Sequence, residues 1–362
     1  MKATPKHILV FRFSALGDAA MTVPVLRLLL AQHPGLRVTM VSVPFHAPLF
    51  ENIERLHFFG ADIRKQYKGL RGLITLARRL KKDVPFDAVA DLHNVLRTKI
   101  IRRFLGPVPI AVIDKGRSEK KELTRPHNKK LHPLKTTFQR YADVFGQLGV
   151  PVEISSQTSG ISYQQSDISS QLSAVRHQVS AISSQTSDSG HQQCQIGIAP
   201  FAKHAAKMYP LEKMEQVVRL LQQDANHRIF LFGSKAEAPV LEQWAAGQPN
   251  IRVAAGRYTF AEELQLIAQM DVMLTMDSAN MHLASLYGVP VVSIWGGTHP
   301  WLGFYGWGQD PENAVQTDLP CRPSSVFGNK LCPVHGEAGC MQEITPEQVY
   351  QKLSKFLHKK NN

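Results

Sequence analysis

The sequence predicts an α/β protein of two Rossmann-like domains, each a doubly wound parallel sheet, that face each other across a cleft. Two stretches, residues 7–24 and 275–297, each have the pattern of a buried strand, a tight polar turn that holds an aspartate, and a helix. Open sheets of this class bind ligands at the carboxyl ends of their strands. The chain has 362 residues, 43% of them hydrophobic, which is enough for two cores.

The strands of the predicted sheets are short continuous apolar runs separated by helical stretches. They are predicted at 8–13, 37–43, 87–93 and 110–114 in the first half, and at 196–200, 228–233, 252–256, 271–277 and 289–296 in the second. Runs of this kind are typical of parallel strands that are covered on both faces. We therefore place an N-terminal domain at 1–153 and a C-terminal domain, ending in a helix, at 196–362.

The segment between the domains, residues 154–195, consists of three imperfect copies of a 14-residue unit in which ISSQ recurs at Ile154, Ile168 and Ile182. Ser and Gln dominate it, and no helical period of apolar residues is sustained. Such a composition cannot bury enough apolar surface to offset the entropy of ordering, which predicts a disordered linker. A solenoid repeat is the alternative, but the unit is shorter and more polar than stacked repeats require.

The net charge of +13 is concentrated in the first half of the chain. Residues 1–150 hold 27 Lys and Arg against 11 Asp and Glu, whereas the remainder holds 15 against 18. A one-sided field of this kind attracts an anionic partner such as a phosphorylated glycolipid, a membrane surface or a nucleic acid. A solvated surface that only confers solubility is the alternative reading. We expect no nucleic-acid partner, because no helix-turn-helix, RNP or zinc-finger pattern is present.

Hydropathy predicts a soluble, cytoplasmic protein. The sequence has no uninterrupted run of 18 apolar residues, and its first residues lack the apolar core of a signal peptide.

The turn in the first half, SALGD, places Asp18 at the mouth of the loop before a helix. Gly17 allows the tight turn. An aspartate in this position can accept a proton from a hydroxyl bound in the cleft. It can equally serve as a turn or helix-capping residue.

In the second half, several polar loops follow successive strands. Asp277 and Ser278 open a helix, where unpaired N–H groups and the helix dipole favour phosphate. Lys203 or Lys207, after the strand at 196–200, can reach a phosphate as a point charge. Glu237 can accept hydrogen bonds from ribose hydroxyls. These loops predict a nucleotide-diphosphate site, although neither a glycine triad nor a P-loop is present.

Several of these motifs resemble one enzyme family. The stretches FRFSALGDAAMTVPVLRLLLAQHP, PFAKHAAKMYP, LFGSKAE and MDSANMHLASLYGVPVVSIWGGTHPWLGFYGW, together with the cysteine-containing tail, are similar to the bacterial heptosyltransferases of glycosyltransferase family 9. The resemblance covers nearly the whole chain outside 154–195. It implies the two-domain GT-B architecture and an inverting enzyme that transfers a heptose from an ADP-activated donor to the lipopolysaccharide core at the inner membrane.

The resemblance also assigns roles to residues. It implies that Asp18 is the general base, Lys207 contacts phosphate, and Glu237 binds ribose. It further implies that Asp277 and His282 belong to the nucleotide-sugar loop; His282 could instead be a packing histidine. We expect the N–H groups near Ser278, Ala279 and Asn280 to stabilise the leaving diphosphate, so that no metal ion or other cofactor is required.

The acceptor is expected to be an anionic glycolipid bound by the basic first half. We expect Ser14, Arg64, Lys65, Lys120 and Lys121 to contact it. The enzyme would then act in the cytoplasm, in peripheral contact with the cytoplasmic face of the inner membrane. Two alternatives remain open: a catalytically idle nucleotide-sugar-binding protein, and a transferase that uses another nucleotide sugar.

The tail contains a possible metal site. Cys321, Cys332 and Cys340, with His335 nearby, could form a Cys₃His zinc site. The gaps of ten and seven residues between the cysteines lack the usual CxxC knuckle, and relatives with a similar tail often have a further cysteine near Ser324. Metal binding is therefore the less favoured interpretation of this cluster.

Overall fold

The fold is taken from a computed structural model that describes residues 4–154, 193–332, 334, 336 and 339–357. The chain divides into two compact units. The first runs to Arg117 and resumes over residues 135–154, and the second contains Ser118–Leu134 and the described residues from 193 onward. The linker predicted at 154–195 falls largely outside the described residues, and its disorder stays a prediction.

The first unit is a five-stranded parallel sheet in the order β3-β2-β1-β4-β5, with helices between the strands. Its elements are β1 (His7–Phe11), α1 (Leu16–Ala20), α2 (Thr22–Gln32), β2 (Arg37–Ser42), β3 (Leu56–Gly60), α3 (Gly69–Asp83), β4 (Ala88–Asp91), α4 (Leu96–Arg103), β5 (Ile110–Val112) and α6 (Thr137–Gln147). The helix α5 (Arg117–Leu123) begins at the last residue of the first unit and continues into the second unit. The last four residues of β1 are buried, as expected for a central strand.

The second unit is a six-stranded parallel sheet in the order β11-β10-β9-β6-β7-β8. Its elements are β6 (Cys194–Ala199), α7 (Leu211–Leu221), β7 (His227–Leu231), α8 (Ala238–Ala245), β8 (Ile251–Val253), α9 (Phe260–Ile267), β9 (Val272–Met276), α10 (Ala279–Leu286), β10 (Val291–Ile294), β11 (Ala314–Val315) and α11 (Pro346–Leu357). The Thr259 side chain caps α9, and Glu262 returns a hydrogen bond to the Thr259 N–H at 2.8 Å.

All nine predicted strands are present, and the prediction of two parallel α/β domains is confirmed. Two strands, β3 and β11, were missed. Both are edge strands, and none of the five residues of β3 is buried, so it lacks a continuous apolar run. The linker boundary is also corrected: Cys194 and Gln195 belong to β6, where Cys194 is buried and pairs in register with His227.

The domain boundary at 153 needs a second correction, because residues 118–134 group with the second unit. Leu123 and Leu134 are buried there in a small cluster with Leu302. The N–H of Leu134 donates to the carbonyl of Trp301 at 2.9 Å. We call residues 118–134 the strap. Among the described residues, no helix is long and apolar enough to cross a bilayer.

Candidate active site

In the first unit, the loops after β1 and β4 lie side by side at the centre of the sheet. Phe11, at the end of β1, pairs in register with Asp91, at the end of β4. The strand order reverses between these two strands, and open sheets of this class bind ligands at that reversal. The residues after both strands are therefore candidates for the site.

Asp18 lies in the first turn of α1, just after β1. Its Oδ2 accepts the N–H of Ala15 at 3.0 Å, which is the capping contact that the sequence offered as an alternative role. The same oxygen lies 2.5 Å from Nη2 of Arg12, and 32% of the Asp18 side chain is exposed. The carboxylate is therefore held by a cation yet remains within reach of a bound hydroxyl.

Arg12, the partner of Asp18, is buried. Its Nη1 donates to the carbonyl of Leu92 at 2.7 Å, and its guanidinium lies 5.9 Å from the ring centre of Tyr141. The Tyr141 hydroxyl donates in turn to the main-chain carbonyl of Asp18 at 3.2 Å. Burial opposes the charge of Arg12, but Tyr141, Asp18 and Asp91 outweigh it and raise the Arg12 pKa above its ordinary value.

The loop after β4 is organised by Asp91, which is fully buried. Its Oδ1 accepts the N–H groups of His93 and Asn94 at 2.9 and 2.8 Å, and its Oδ2 pairs with Arg102 at 3.3 Å. These contacts fix the main chain that carries His93. The N–H of Phe13 approaches His93 Nδ1 at 3.4 Å.

The acceptor role of His93 Nδ1 leaves the ring proton on Nε2, which lies 3.4 Å from Ser14 Oγ. Burial, followed by the charge of Arg12, lowers the pKa of His93 to about 3 and that of His46 to about 4. Both imidazoles are therefore neutral at neutral pH, and Arg12 supplies the positive charge beside Asp18. Burial also lowers the pKa of Lys115, an effect that Arg12 and Arg117 increase and that Asp18 and Asp91 oppose.

In the second unit, the corresponding reversal of strand order lies between β6 and β9. Lys207 ends a short 3₁₀ turn after β6, and Asp277 follows β9 directly. Lys207 Nζ lies 2.7 Å from Asp277 Oδ2, and the two side chains are 15% and 4% exposed. The structure thus brings together a lysine and an aspartate that are 70 positions apart in the sequence.

The helix α10 begins beside this pair. Ser278 is its N-cap residue and has an extended backbone; its Oγ lies 3.0 Å from Thr275 Oγ1. Ala279 and Asn280 form the first turn and are partly exposed, whereas His282, one turn further, is buried. The predicted phosphate-binding residues therefore lie in one place, at the start of a helix of eight residues.

The other predicted donor residues lie in the two neighbouring loops. Glu237 precedes α8, and its Oε2 accepts the N–H of Ser234 at 2.6 Å. Lys203 is exposed, in contrast to Lys207. Of the two lysines that the sequence offered for phosphate, only Lys207 is paired with Asp277.

A buried arginine that the sequence did not single out, Arg322, supports the loop after β10. It donates to the carbonyls of Gly296 at 2.7 Å and of Trp295 at 3.2 Å. The N–H of Gly297 in this loop donates to the carbonyl of Ala206 at 2.9 Å. Ala206 precedes Lys207, so the loop after β10 helps to hold the turn that presents the lysine.

The predicted acceptor residues fall into different places. Ser14, Arg64 and Lys65 are exposed in the first unit. Lys120 is a correction: it is 7% exposed and lies in the strap of the second unit, with Nζ 4.2 Å from the ring centre of Phe304. Its neighbour Lys121 is exposed on the same helix. Lys120 therefore packs against an aromatic ring and does not contribute to an exposed basic surface.

Three of the four cysteines lie together in the second unit. The sulfur atoms of Cys321, Cys332 and Cys340 all lie within 4.8 Å of one another. Burial raises the pKa of Cys340 to about 12 and also raises that of Cys321. The remaining member of the predicted Cys₃His set, His335, lies outside the described residues.

The site residues that the sequence missed are Arg12, Asp91, His93 and Lys115 in the first unit and Arg322 in the second. A signal was available for two of them. Asp91 and His93 lie in DLHN at the end of a predicted strand, where the rule that singled out Asp18 and Asp277 also applies.

Comparisons with known proteins identify the family of the chain. Residues 73–335 match the family model described as glycosyltransferase family 9 (heptosyltransferase). The chain is 24% identical to lipopolysaccharide heptosyltransferase 1 of Pseudomonas aeruginosa, over 97% of this chain and 98% of that protein.

Two solved structures share the fold. One is a family 9 glycosyltransferase from Veillonella parvula, with a TM-score of 0.72, 19% identity, and coverage of 99% of this chain and 98% of the other. The second is the E. coli heptosyltransferase WaaC with ADP, with a TM-score of 0.65, 17% identity, and coverage of 96% and 99%. At these identities the likeness shows the fold, which is the GT-B architecture that the sequence motifs implied.

Proposed function

The chain belongs to glycosyltransferase family 9, and from this premise we propose that it transfers a heptose from an ADP-activated donor to an anionic acceptor of the lipopolysaccharide core, with inversion at the anomeric carbon. The observation that carries the proposal is the pairing of Lys207 with Asp277 at the start of α10. The relative from P. aeruginosa is a lipopolysaccharide heptosyltransferase, and a solved structure with this fold contains ADP. Both agree with the proposed donor and acceptor.

The donor diphosphate binds at the start of α10. Asp277 fixes the position of the Lys207 ammonium, which provides a point charge for the phosphates. The N–H groups of the first helical turn, near Ser278, Ala279 and Asn280, point out of the helix and can donate to phosphate oxygens. Glu237, in the loop after the neighbouring strand β7, is assigned to the ribose hydroxyls. These groups stabilise the charge that develops on the leaving ADP.

Asp18 is the proposed general base. The acceptor hydroxyl attacks the anomeric carbon, its proton passes to the Asp18 carboxylate, and the bond from that carbon to the diphosphate breaks to release ADP. Arg12, 2.5 Å away, favours the ionised carboxylate. This contact also makes the carboxylate a weaker base, which is tolerable because the hydroxyl becomes acidic only as its oxygen bonds to carbon in the transition state.

The acceptor is proposed to bind to the basic first half. Residues 1–150 carry 16 more positive than negative side chains, and Arg64 and Lys65 are exposed there. A lipopolysaccharide precursor presents phosphate and carboxylate groups, which such a surface attracts. We place the enzyme in the cytoplasm, in peripheral contact with the inner membrane that holds this acceptor.

The test is a transfer assay with ADP-heptose and a heptose-free lipopolysaccharide acceptor. We expect ADP release to require the acceptor, and the anomeric configuration of the product, read by NMR, to be opposite to that of the donor. Binding of ADP-heptose without turnover on any core acceptor would instead favour the idle binding protein. Turnover with another nucleotide sugar but not with ADP-heptose would overturn the assigned donor.

A further inference from the structure

The cysteine cluster in the second unit brings together three segments of chain. Cys321 precedes Arg322, Cys332 lies in a tight turn, and Cys340 lies in the 3₁₀ turn Gly339–Glu343. Cys332 and Cys340 are 3% and 0% exposed. The Sγ atoms of Cys321 and Cys340 are 4.0 Å apart, and all three sulfurs lie within 4.8 Å of one another.

These separations match the edges of a metal coordination sphere. With metal–sulfur bonds of about 2.3 Å, two thiolates of a tetrahedral site lie about 3.8 Å apart. The observed 4.0 Å is close to this value, whereas a disulfide requires about 2.05 Å. Three sulfurs spaced in this way, those of Cys332 and Cys340 buried and that of Cys321 half-buried, could bind the same ion.

Cys332 makes main-chain hydrogen bonds that the sequence spacing did not reveal. Cys332 and Gly336 exchange two main-chain hydrogen bonds, of 3.2 and 3.0 Å. Gly336 has a φ of 66°, in the left-handed region that favours glycine. Although the CxxC pair is absent, these bonds tie the main chain of Cys332 to that of Gly336.

Two cations lie beside the sulfurs. Arg322 is 4% exposed, and its hydrogen bonds go to carbonyl and amide oxygens. Lys129 of the strap donates to the carbonyls of Cys321 and Pro323 at 2.5 and 2.9 Å. Three thiolates around a divalent ion carry a net charge of −1, which these cations would offset.

We propose that Cys321, Cys332 and Cys340 bind one thiophilic divalent transition-metal ion, with Zn²⁺ as the expected occupant. Thiolate ligands select zinc or iron over magnesium and calcium. We assign the ion a structural role. Arg322, next to Cys321, bonds to the loop after β10, and that loop bonds to the turn of Lys207. The ion would therefore hold in place the segment that supports the phosphate-binding turn.

The experiment measures metal content in the full chain, purified under reducing conditions and freed of any affinity tag. By mass spectrometry of the elements, we expect about one Zn²⁺ or Fe²⁺ per chain, and a loss of at least fivefold in Cys332→Ser. Cys194→Ser is the matched control. Cys194 is buried in the same unit, but it lies in β6, with its thiol directed to the carbonyl of Phe356; this variant should keep its metal.

A second measurement does not depend on the folding of a variant. Wild-type chain produced with Co²⁺ as the available metal should show the thiolate-to-cobalt charge-transfer band in the near ultraviolet and the strong visible bands of tetrahedral coordination. A wild-type chain that contains no metal and shows no such bands would overturn the proposal, as would equal metal content in the Cys332→Ser variant. Neither readout requires sugar transfer, so failure here is distinct from failure of the proposed function.

Discussion

The carboxylate of Asp18 lies 2.5 Å from the guanidinium of Arg12, a side chain that is itself buried beneath the loop after β1. The pair combines a cation that stays charged with an acid that remains partly exposed. Removing either partner therefore has a different consequence. Without Asp18 the site loses its base, and without Arg12 it loses the group that orients the base.

Asp18→Asn should lower the transfer rate by roughly 10² to 10⁴-fold, because the amide keeps the shape of the carboxylate but cannot accept the proton. Donor affinity should be unchanged, since the assigned donor residues belong to the second unit. Turnover and ADP binding are measured on the same preparations. Asp83→Asn, which alters an exposed aspartate of the same unit at the end of α3, where it pairs with Arg79, is the control and should retain turnover. Near-normal turnover in Asp18→Asn would reduce this residue to its capping role.

Lys207→Ala should weaken ADP binding by about 1.5 to 3 kcal/mol, the range for a hydrogen bond to a charged group. Lys203→Ala removes an exposed lysine four positions earlier and should change the affinity little. Titration calorimetry separates the two variants, and added Mg²⁺ should leave the affinity of the wild-type protein unchanged. Equal losses in both variants would contradict the assignment of phosphate to the Lys207–Asp277 pair.

The stability of the first unit should fall as the pH drops below about 6.5. The pKa of His93 is lowered to about 3 in the folded protein, so below 6.5 the unfolded chain binds a proton that the folded chain does not. The stability contributed by the neutral ring is complete above 6.5 and is lost progressively toward pH 3. Between pH 6.5 and 5, the free energy of unfolding of His93→Gln should fall by about 1 to 2 kcal/mol less than that of the wild type.

Chemical denaturation at several pH values measures the effect. His57→Gln, at an exposed position on β3, is the control. If the two variants had the same pH dependence as the wild type, protonation of His93 would not be coupled to unfolding.

Arg64→Glu combined with Lys65→Glu should raise the acceptor KM and leave turnover at saturating acceptor nearly intact. The two positions are exposed, and charges in solvent act over about 10 Å at 0.1 M salt. The rise in KM should therefore shrink as salt is added. A change that is independent of salt, or one confined to kcat, would argue against an electrostatic acceptor surface.

Lys120→Ala should lower the unfolding temperature, because its ammonium lies 4.2 Å from the ring centre of Phe304. A desolvated cation–π contact contributes up to about 2 kcal/mol. Lys121→Ala, the next residue on the same helix, is exposed and should have almost no effect. Thermal unfolding followed by circular dichroism gives the comparison, and equal shifts for both lysines would contradict the strap contact.

The central strands were predictable because a strand buried on both faces must be apolar throughout, as β1 and β9 are. The same physics explains why β3 was missed: none of its five residues is buried, and His57 interrupts its apolar residues. The turn aspartates were found from the position of loops at strand ends. Arg12, the partner of Asp18, was not found because it lies within an apolar run. Lys207 was named as a phosphate contact, but its pairing with Asp277 was not predicted, because only the order of the strands brings the two residues together.

The strap could not have been placed from the sequence. Its basic composition matches that of the first half, which made residues 1–153 look like one domain. Leu123 and Leu134 attach the strap to a core, but from their sequence alone they could belong to either core. Only the complementary surface around Leu302 shows which core they join.

The route of the strap determines how the chain can be dissected. The polypeptide passes from the first unit to the second after Arg117 and returns at Lys135, before the repeat region carries it over again. Cutting at the repeats would yield a C-terminal fragment lacking Lys129 and the two strap leucines, and an N-terminal fragment carrying them without the surface that buries them. We therefore expect neither half to fold fully on its own. An autonomous donor-binding module would need residues 118–134 supplied as a grafted segment or as a separate peptide.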